Sequence, residues 1–488
     1  MKSLKTVFPV FLLTLLIPAQ AAFAQWKLAG TDARLNCGPL ESFKKTDRVL
    51  ILAPHPDDET IGCAGVIQKA LNKGAVVSVC YLTNGDHNEF AFIVYEKRLT
   101  LRKNEFIHMG EVRKKEALKA MKLLGLDESR LVFMGYPDFG TFAMFKDFWQ
   151  RRHPYKSLLT RVTSVPYKED FSFGMPYKPE NILEDLKKVI LKYRPNKIFV
   201  SHPADTNYDH KALYLYLQVA LADLEEEFIP ERVYPYLVHH KGWPLPRRYH
   251  PENGLLPPGD LADSGMVWSI SALTSEEIEK KYRGILCYRS QTQSSAFYLL
   301  SFARKNELFG DYPALEVMAK SGPIVQKEKI PVTTDRLLSV FDSLRSAVRP
   351  PGKDEGAAIL PVGGKRKESY ELLDSHLVIK IPKSAHLKNR LVTLFYLFGY
   401  NYDIPFAEMP KISVITKYNR VRVLDGKRII AAEAVNVQVE PRELVLKVPL
   451  ALLGDPDFVL VSFKAYTDNL PFYAPGFLKL KIRRQADA

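Results

Sequence analysis

A histidine and three carboxylates lie within five consecutive positions of the chain, from His55 to Glu59, in the stretch PHPDDE. The residues before it, Arg48 to Ala53, form a short apolar run that is typical of a buried strand. From Glu59 onward the apolar residues take helical spacing, so a strand gives way to a helix at this point. Because ligands of open α/β sheets bind at the carboxyl ends of strands, the stretch is a candidate metal site.

A second polar cluster, residues 202–210 (HPADTNYDH), follows another predicted strand. Parallel strands of one sheet end at the same edge, so the two clusters can converge there. Zinc in hydrolytic sites has three nitrogen or oxygen ligands, and water takes the fourth position. His55 and Asp58 share one tight turn and can reach a common ion, and His210 is the natural third ligand. The pattern predicts a Zn²⁺ site, and it leaves Fe²⁺ or Co²⁺ open because N/O sites select poorly among these metals.

Hydrolysis also needs a group that takes the proton of the attacking water. Asp57 lies beside Asp58 and is suited to general-base work, but the spacing does not decide which of the two binds the metal. An alternative interpretation is a turn in which Asp57 or Asp58 is the N-cap of the next helix. The second cluster, with the same placement after a strand, favours the metal site.

Alternating strands and helices in the first 300 residues predict a Rossmann-like, mostly parallel sheet with helices on both faces. We expect strands at 48–53, 75–82, 131–134, 197–201 and 232–240, and helices at 59–72, 110–124, 181–193 and 211–226. A capping box of Thr274 and Glu277 predicts another helix. Residues 139–180 have no clean periodicity, and we interpret them as a wall or lid over the site.

The length of 488 residues favours two folded units. Residues 1–24 have the pattern of a secretory signal peptide, and residues 25–325 form the predicted first domain. Residues 326–367 are the predicted linker. Residues 368–488 show short alternating runs and an Asp425-Gly426 turn, which predict a β-sandwich that could bind carbohydrate.

The charge pattern narrows the class of partner. The formal net charge is +14, but no dense Lys/Arg block carries interleaved aromatics, so we expect no nucleic acid partner. A basic surface could attract anionic glycans or phosphate-bearing envelope polymers. The leader predicts a secreted or periplasmic protein, with no transmembrane segment once the signal is removed. The four cysteines form no Cys-x-x-Cys pair, so a thiolate zinc site is not expected.

Several motifs occur in one order along residues 45–300. Pro54–Glu59 is followed by Gly62 and Gly65, and residues 202–210 form the second main motif. The others are TNGD at 83–86, Arg113 with Glu116 and Ala117, Leu124-Gly125, GYPD at 135–138, Val238–His240 with Trp243-Pro244, and Tyr288 with Ser290-Gln291. Together they resemble the PIG-L/LmbE-like family of zinc-dependent N-acetylglucosaminyl deacetylases. The resemblance covers the N-terminal domain only.

The resemblance implies a Rossmann-like fold and metal-dependent removal of acetyl groups from amino sugars. It implies that His55, Asp58 and His210 are the metal ligands and that Asp57 is the general base. Arg113 would lie in the substrate pocket, where a guanidinium suits hydroxyl or anionic sugar groups. Asp209 would orient a neighbouring imidazole.

One position departs from the family pattern. Many members have a histidine three residues before the last ligand, and this chain has Asn207 there. Its amide can donate a hydrogen bond to an oxyanion, but it cannot protonate a leaving amine. Asp57 would then act as both base and acid, or a histidine would supply the proton. The candidate histidines are His202, His239 and His240.

The sequence therefore predicts an exported metal-dependent hydrolase that removes an N-acetyl group from an amino sugar or an envelope saccharide. Two alternatives remain at this point. One is another zinc amidase on the same site. The other is a non-catalytic glycan-binding protein that retains a relic metal site.

Overall fold

The computed structural model describes residues 37–87, 103–262, 264–320, 368–383, 391–417, 420–467, 470–473 and 476–484. They belong to one compact unit, Asn36–Ala488. The predicted signal peptide and the predicted linker lie outside the described residues. Within them, no helix is long and apolar enough to cross a membrane.

The first sheet joins strands from the N-terminal 311 residues. Its strands are β1 (Cys37–Pro39), β2 (Arg48–Ala53), β3 (Val76–Thr83), β4 (Leu131–Tyr136), β5 (Lys197–Ser201), β6 (Arg232–Tyr236), β7 (Val267–Ala272) and β8 (Asn306–Asp311). The order is β1-β7-β8-β6-β5-β2-β3-β4, and only β8 pairs antiparallel to its neighbours. The predicted mostly parallel sheet is confirmed.

The strand order reverses between β2 and β5. From β2 the chain proceeds to β3 and β4 on one side, whereas β5 and β6 lie on the other. Such a reversal opens a crevice at the carboxyl ends of the two strands. The PHPDDE stretch follows β2 and the 202–210 cluster follows β5, so the fold brings both to this crevice.

Helices cover both faces of this sheet. They are α1 (Asp58–Asn72), α2 (Lys103–Leu124), α3 (Thr141–Asp147), α4 (Pro179–Tyr193), α5 (Tyr208–Asp223), α6 (Gly259–Ala262), α7 (Ser275–Leu286) and α8 (Arg289–Leu299). Helices α1, α2, α7 and α8 contact one another, and α3, α4 and α5 form a second group. Leu50 and Leu52 of β2 share a buried cluster with the second group, and Ile51 points to the other face.

The second sheet contains twelve strands among the described residues. They are β9 (Leu315–Lys320), β10 (Ser369–Leu373), β11 (His376–Pro382), β12 (Leu391–Tyr400), β13 (Lys411–Lys417), β14 (Arg420–Asp425), β15 (Arg428–Ile430), β16 (Asn436–Val439), β17 (Glu443–Pro449), β18 (Phe458–Thr467), β19 (Leu470–Tyr473) and β20 (Leu478–Arg483). All pairs are antiparallel except those that β9 makes with β10 and β20. The antiparallel character is confirmed, and the sandwich arrangement stays a prediction.

The second sheet packs directly on α3. Tyr396 and Phe398 alternate along β12 and point to one face of that sheet. Their rings lie 5.4 Å from the rings of Phe142 and Phe145, respectively. The four residues belong to one buried hydrophobic cluster, so the two halves of the chain share a core.

Two local features differ from the sequence-based expectation. Helix α3 lies inside residues 139–180, where we expected no regular element. Strand β9 belongs to the second sheet although it lies within the range predicted for the first domain. The chain therefore leaves the first sheet after Asp311. The domain boundaries themselves stay predictions.

Candidate active site

Three side chains from the two polar clusters meet at the crevice. The Asp58 Oδ2 atom lies 3.1 Å from Nδ1 of His55 and 3.1 Å from Nε2 of His210. One potential ligand atom from each residue falls within a common 4.8 Å. The side chains are almost fully buried, with exposed fractions of 6%, 1% and 0% for His55, Asp58 and His210. The structure thus brings together the three predicted ligands.

The donor set of this cluster fits a divalent metal ion. Both ring nitrogens of His210 are buried and lie 3.1 Å from carboxylate oxygens of Asp58 and Asp205, but without the geometry of a hydrogen bond, and buried polar atoms of this kind are usually satisfied by a further group. Two imidazole nitrogens and one carboxylate are a set that zinc accepts at catalytic sites. Burial opposes ionisation of Asp58, but the neighbouring His210 and His55 hold the pKa of this carboxyl well below its usual value. Asp58 is therefore ionised and ready to ligate.

Each imidazole also faces carboxylates on its other ring nitrogen. His55 Nε2 lies 3.0 Å from Asp138 Oδ1, and His210 Nδ1 lies 3.1 Å from Asp205 Oδ2. Carboxylates in such positions fix the orientation of metal-binding imidazoles. The sequence motifs contained Asp138 and Asp205, but we assigned them no role. Their signal was the same as for the ligands, namely an acid just past the end of a predicted strand.

Asp209, predicted to orient an imidazole, lies 3.5 Å from His55 Nε2 through its Oδ2 atom. Its shorter contacts are with the beginning of α3. The carboxylate accepts hydrogen bonds from the N–H groups of Phe139 and Thr141, at 2.6 and 3.1 Å, and from the Thr141 hydroxyl. Asp209 therefore caps α3 and ties it to the start of α5.

Asp57 has an unusual backbone conformation. Its φ of 125° and ψ of −31° place a non-glycine residue in a sparsely populated region. Asp57 occupies the N-cap position of α1, but its side chain makes no capping hydrogen bond. The alternative interpretation of Asp57 as a helix cap is therefore right about its place at the N-cap of α1, but its carboxylate does not cap the helix. Strain of this kind persists where surrounding structure imposes it, often at functional sites.

The Asp57 carboxyl is buried beside a counter-charge. Burial raises its pKa to about 8 even though the Arg113 guanidinium opposes the shift. Arg113 Nη2 lies 3.2 Å from Asp57 Oδ2, and the guanidinium also donates to the carbonyls of Gly85 and Pro56. Arg113 is only 4% exposed. The structure shows Arg113 holding Asp57 in place, and substrate contact by Arg113 stays a prediction.

Asn207 is the N-cap of α5. Its side-chain oxygen accepts a hydrogen bond from the N–H of Asp209 at 2.8 Å, as helix-capping asparagines do. The cap leaves the amide NH₂ group for any further contact, and the side chain is half-buried. The structure therefore gives Asn207 a local role, and its contact with an oxyanion stays a prediction.

Only one of the three candidate histidines contacts the cluster in the described structure. The His239 ring lies 4.8 Å from the His210 ring, centre to centre. His202 stacks on Trp268 and accepts a hydrogen bond from the N–H of Ala204. His240 lies 3.4 Å from Asp260. His239 is thus the candidate for a further proton-carrying group.

His239 is held from several sides. Its backbone N–H donates to the Asp205 carboxylate at 2.8 Å, and its ring Nδ1 lies 3.3 Å from the hydroxyl of Tyr298. The rings of His239 and Tyr298 are stacked with centres 5.9 Å apart. Burial lowers the pKa of His239. Asp205, which contacts the ring of His210, therefore fixes the backbone of His239, and the Tyr298 hydroxyl lies against the imidazole itself.

Two aromatic side chains near the cluster are exposed. Phe139 directly follows Asp138, has a φ of 57° and is 54% exposed. Its ring lies 5.0 Å from that of His87. Tyr208 directly precedes Asp209 and is 37% exposed. A strained, exposed phenylalanine beside buried functional carboxylates is a feature that packing alone does not explain.

Comparisons with known proteins bear on this arrangement. Residues 50–221 match the model of the family described as PIG-L: GlcNAc-PI de-N-acetylase. No curated protein matches the chain. A conserved protein from Thermus thermophilus is 22% identical over 53% of this chain and 85% of its own, with a TM-score of 0.32.

Two other solved structures are similar to about the same extent. The N,N'-diacetylchitobiose deacetylase from Pyrococcus horikoshii is 19% identical over 54% of this chain and 82% of its own, with a TM-score of 0.30. A deacetylase of the teicoplanin biosynthesis pathway is 15% identical over 54% of this chain and 97% of its own, with a TM-score of 0.34. The matched range holds all three predicted metal ligands, the strained Asp57 and the Arg113 that contacts it. Residues 50–221 of this chain are a PIG-L domain of the GlcNAc-PI de-N-acetylase family.

Proposed function

We propose that the protein is an exported metal-dependent hydrolase that removes the N-acetyl group from an amino sugar of an envelope or extracellular saccharide. The observation that carries the proposal is the His55, Asp58 and His210 cluster with the Asp57 carboxylate beside it, which does not cap the helix and contacts Arg113. The PIG-L domain supports de-N-acetylation, and the leader pattern at residues 1–24 supports export. The basic net charge of +14 suits an anionic envelope polymer.

The cluster would hold the metal through His55, Asp58 and His210. A zinc ion bound there supplies Lewis acidity, which polarises an amide carbonyl and lowers the pKa of water. Asp138 and Asp205 keep the two imidazoles in their orientation. The low pKa of Asp58 keeps its carboxylate available at neutral pH.

Asp57 takes the proton from the attacking water. Burial raises the pKa of its carboxyl, which makes it a stronger base than an ordinary aspartate. Arg113 holds the Asp57 carboxylate through the 3.2 Å contact. The unusual backbone conformation of Asp57 sets the direction of its side chain. A base that is already oriented loses no further freedom in the transition state.

His239 delivers a proton to the leaving amine. Because burial lowers the pKa of His239 and leaves its ring neutral at rest, the proton that Asp57 takes from water must reach this ring first. His239 replaces the histidine that the family has at the position of Asn207, and its ring contacts that of His210. Asp205 and Tyr298 hold it on two sides. The NH₂ group of Asn207 is a hydrogen-bond donor for the oxyanion. The exposed Phe139 offers a flat apolar surface against which a sugar ring can pack.

Acetate release from defined substrates tests this function. The mature protein, with its metal content measured, is incubated with N-acetylglucosamine, N,N'-diacetylchitobiose and an N-acetylated peptide. We expect acetate from at least one sugar and none from Asp57→Asn. Acetate from the peptide alone would indicate a different amidase. A metal-loaded protein that binds sugars and releases no acetate would indicate a glycan-binding protein.

A further inference from the structure

Two lysines from different halves of the chain meet at one tyrosine. Lys464 of β18 donates to the Tyr208 hydroxyl at 2.7 Å, and its Nζ lies 4.3 Å from the centre of the Tyr208 ring. The Nζ of Lys211, one turn along α5, lies 5.9 Å from the same ring centre. Two ammonium groups thus share one aromatic ring at the junction of the two sheets.

Lys211 is the exceptional member of this pair. It is only 3% exposed, and in the described part of the chain it makes no ion pair or hydrogen bond through Nζ. Other buried lysines of this protein have close partners. Lys197 lies 2.8 Å from Asp47, Lys281 lies 2.8 Å from Glu307, and Lys411 donates to the carbonyls of Phe406 and Met409.

In the described part of the chain neither lysine makes an ion pair with a carboxylate, and Asp205 acts on Lys211 only at longer range. Lys464 has the Tyr208 hydroxyl as its partner, and no carboxylate lies within ion-pair distance of it there. Lys464 is half-buried, and this burial lowers its pKa to about 8. Lys211 is the buried member, and placing a second ammonium group beside it costs free energy, which a bound anion would reduce.

The position of the pair connects it with the candidate active site. Tyr208 and Lys211 lie in the first turn of α5, which also contains Asp209 and His210. The N-terminal end of a helix of this length favours anions through its dipole and free N–H groups. The N-terminal end of α5 therefore adds its own attraction for an anion to that of the buried Lys211 ammonium group.

We propose that Lys211, Lys464 and Tyr208 form an anion-binding site that holds the carboxylate, phosphate or sulfate group of an N-acylated saccharide substrate. The anion binding stands on the geometry of the two lysines, and its assignment to the substrate rests on the proposed deacetylase function. Ammonium groups and a hydroxyl are suitable donors for such oxyanions. The second sheet would then contribute directly to substrate choice through Lys464.

Binding of inorganic phosphate tests the site without any catalysis. Phosphate is titrated into the full-length mature protein at constant ionic strength, by calorimetry, and the titration is repeated with Lys464→Gln and Lys479→Gln. Lys479 is a matched control because it also lies over an aromatic ring of the second sheet, 4.0 Å from the centre of Phe458, and its pKa is also lowered to about 8. We expect about tenfold weaker binding for Lys464→Gln and no change for Lys479→Gln.

Equal affinities in the three proteins, or no phosphate binding to any of them, would overturn the site. Lys211→Met is a second variant that removes the buried charge and leaves Lys464 in place. If it is folded by circular dichroism, we expect it to weaken phosphate binding at least as much as Lys464→Gln. Unchanged binding would contradict the role of Lys211.

Sugar substrates distinguish a substrate group from a free anion. The ratio of kcat/KM for N-acetylglucosamine 6-phosphate to that for N-acetylglucosamine should fall about tenfold in Lys464→Gln and stay the same in Lys479→Gln. Phosphate binding without any preference for the anionic sugar would overturn the substrate assignment. Phosphate binding without acetate release from either sugar would overturn the proposed function and support the anion site.

Discussion

The guanidinium of Arg113 lies 3.2 Å from the carboxylate of Asp57, and it is anchored by the carbonyls of Gly85 and Pro56 at 3.0 and 2.7 Å. Gly85 follows β3 and Pro56 follows β2, so one side chain ties together two strand ends and the candidate base. No side chain other than arginine has enough donors in a fixed plane to make these three contacts at once.

Two replacements of Arg113 distinguish the effect of its positive charge from the effect of its planar set of donors. Arg113→Lys keeps a positive charge but cannot reach both carbonyls and the carboxylate, so we expect kcat to fall about a hundredfold through misplacement of Asp57. Arg113→Met removes the counter-charge, so we expect the pKa of Asp57 to rise further above about 8 and less of the ionised base to be present at neutral pH. Kinetics and metal analysis measure these effects. Full activity in Arg113→Lys would contradict the positioning role.

The zinc content of histidine variants distinguishes the metal ligand His210 from histidines that do not bind the metal. His210→Ala should lose stoichiometric zinc, since the cluster would have two ligands left. His239→Gln should keep zinc and lose about 10²- to 10⁴-fold in kcat, as expected for removal of a general acid. His240→Gln is the matched control, because His240 is the next residue and contacts Asp260 instead of the cluster. Zinc retained by His210→Ala would refute the ligand assignment.

Metal affinity should increase with pH. In the metal-free protein, burial opposes protonation, but Asp205 and Asp58 raise the pKa of His210 from 6.5 to about 9. A metal ion must displace this proton, so zinc affinity should rise by up to tenfold per pH unit between about 7 and 9. Competition with a chelator measures it. An affinity independent of pH over this range would show that His210 is already neutral.

The stability of the metal-free protein should change in the opposite direction. Protonated His210 stabilises the fold by its contacts with Asp205 and Asp58. Because its folded-state pKa is raised, this contribution is complete below 6.5 and is lost as the pH rises through about 9. The Tm of the metal-free protein should therefore fall between pH 7 and pH 9. His210→Gln should lack that part of the decrease.

Phe139 allows strain and contact to be measured separately. Its φ of 57° costs a non-glycine residue about 1–2 kcal/mol. Phe139→Gly should therefore be more stable than Phe139→Ala by about that amount, measured by denaturant unfolding. Both variants lose the exposed ring, so both should raise KM for a sugar several-fold with less effect on kcat. An unchanged KM in both would show that the ring does not contact substrate.

The contact between the second sheet and the active-site loop can be tested at Gly476. A Cβ atom there would lie 2.7 Å from the backbone of Ala204, which precedes Asp205. Gly476→Ala should displace this loop and weaken zinc binding. Gly426→Ala is the matched control, because its φ is also positive but the nearest atom to its Cβ lies 3.5 Å away. Both should lose stability, and only Gly476→Ala should lose metal affinity.

The sequence predicted the mostly parallel sheet and the capping box at α7, and it placed the three candidate ligands at strand ends that the fold brings together. Thr274 and Glu277 bond each other reciprocally, as predicted. Helix α2 is different, since it begins at Lys103 and not at Gly110. The predicted helix started at Gly110, and in the structure a Cβ at this position would lie 2.3 Å from the Tyr167 hydroxyl. This glycine allows close packing in the middle of the helix.

Two other differences have tertiary causes that sequence spacing does not show. Helix α3 has only seven residues, and the carboxylate that caps it comes from Asp209, far along the chain. Strand β6 was predicted to continue to His240 but ends at Tyr236. The next N–H groups, those of Val238 and His239, bind the Asp205 carboxylate instead of a neighbouring strand. The side chain that orients His210 thereby ends the strand.

The site residues also fall into two groups, those that local sequence identifies and those whose roles depend on distant contacts. His55, Asp58 and His210 stand out because their positions after strands are visible in the sequence. The role of Arg113 depends on contacts with Gly85 and Pro56, which lie far from it in the chain. Lys464 lies in the other half of the chain, so no local pattern could connect it with Tyr208.

The place of strand β9 in the second sheet determines which segment of the chain could be transferred between proteins as one folded unit. It precedes the predicted linker, yet in the second sheet it pairs with β20 on one side and β10 on the other. A fragment that begins at residue 368 would lack β9 and present two unpaired strand edges, which favour aggregation. The C-terminal half is therefore not a self-contained unit from residue 368 onward. A gene rearrangement that transferred the complete second sheet would have to include residues 315–320.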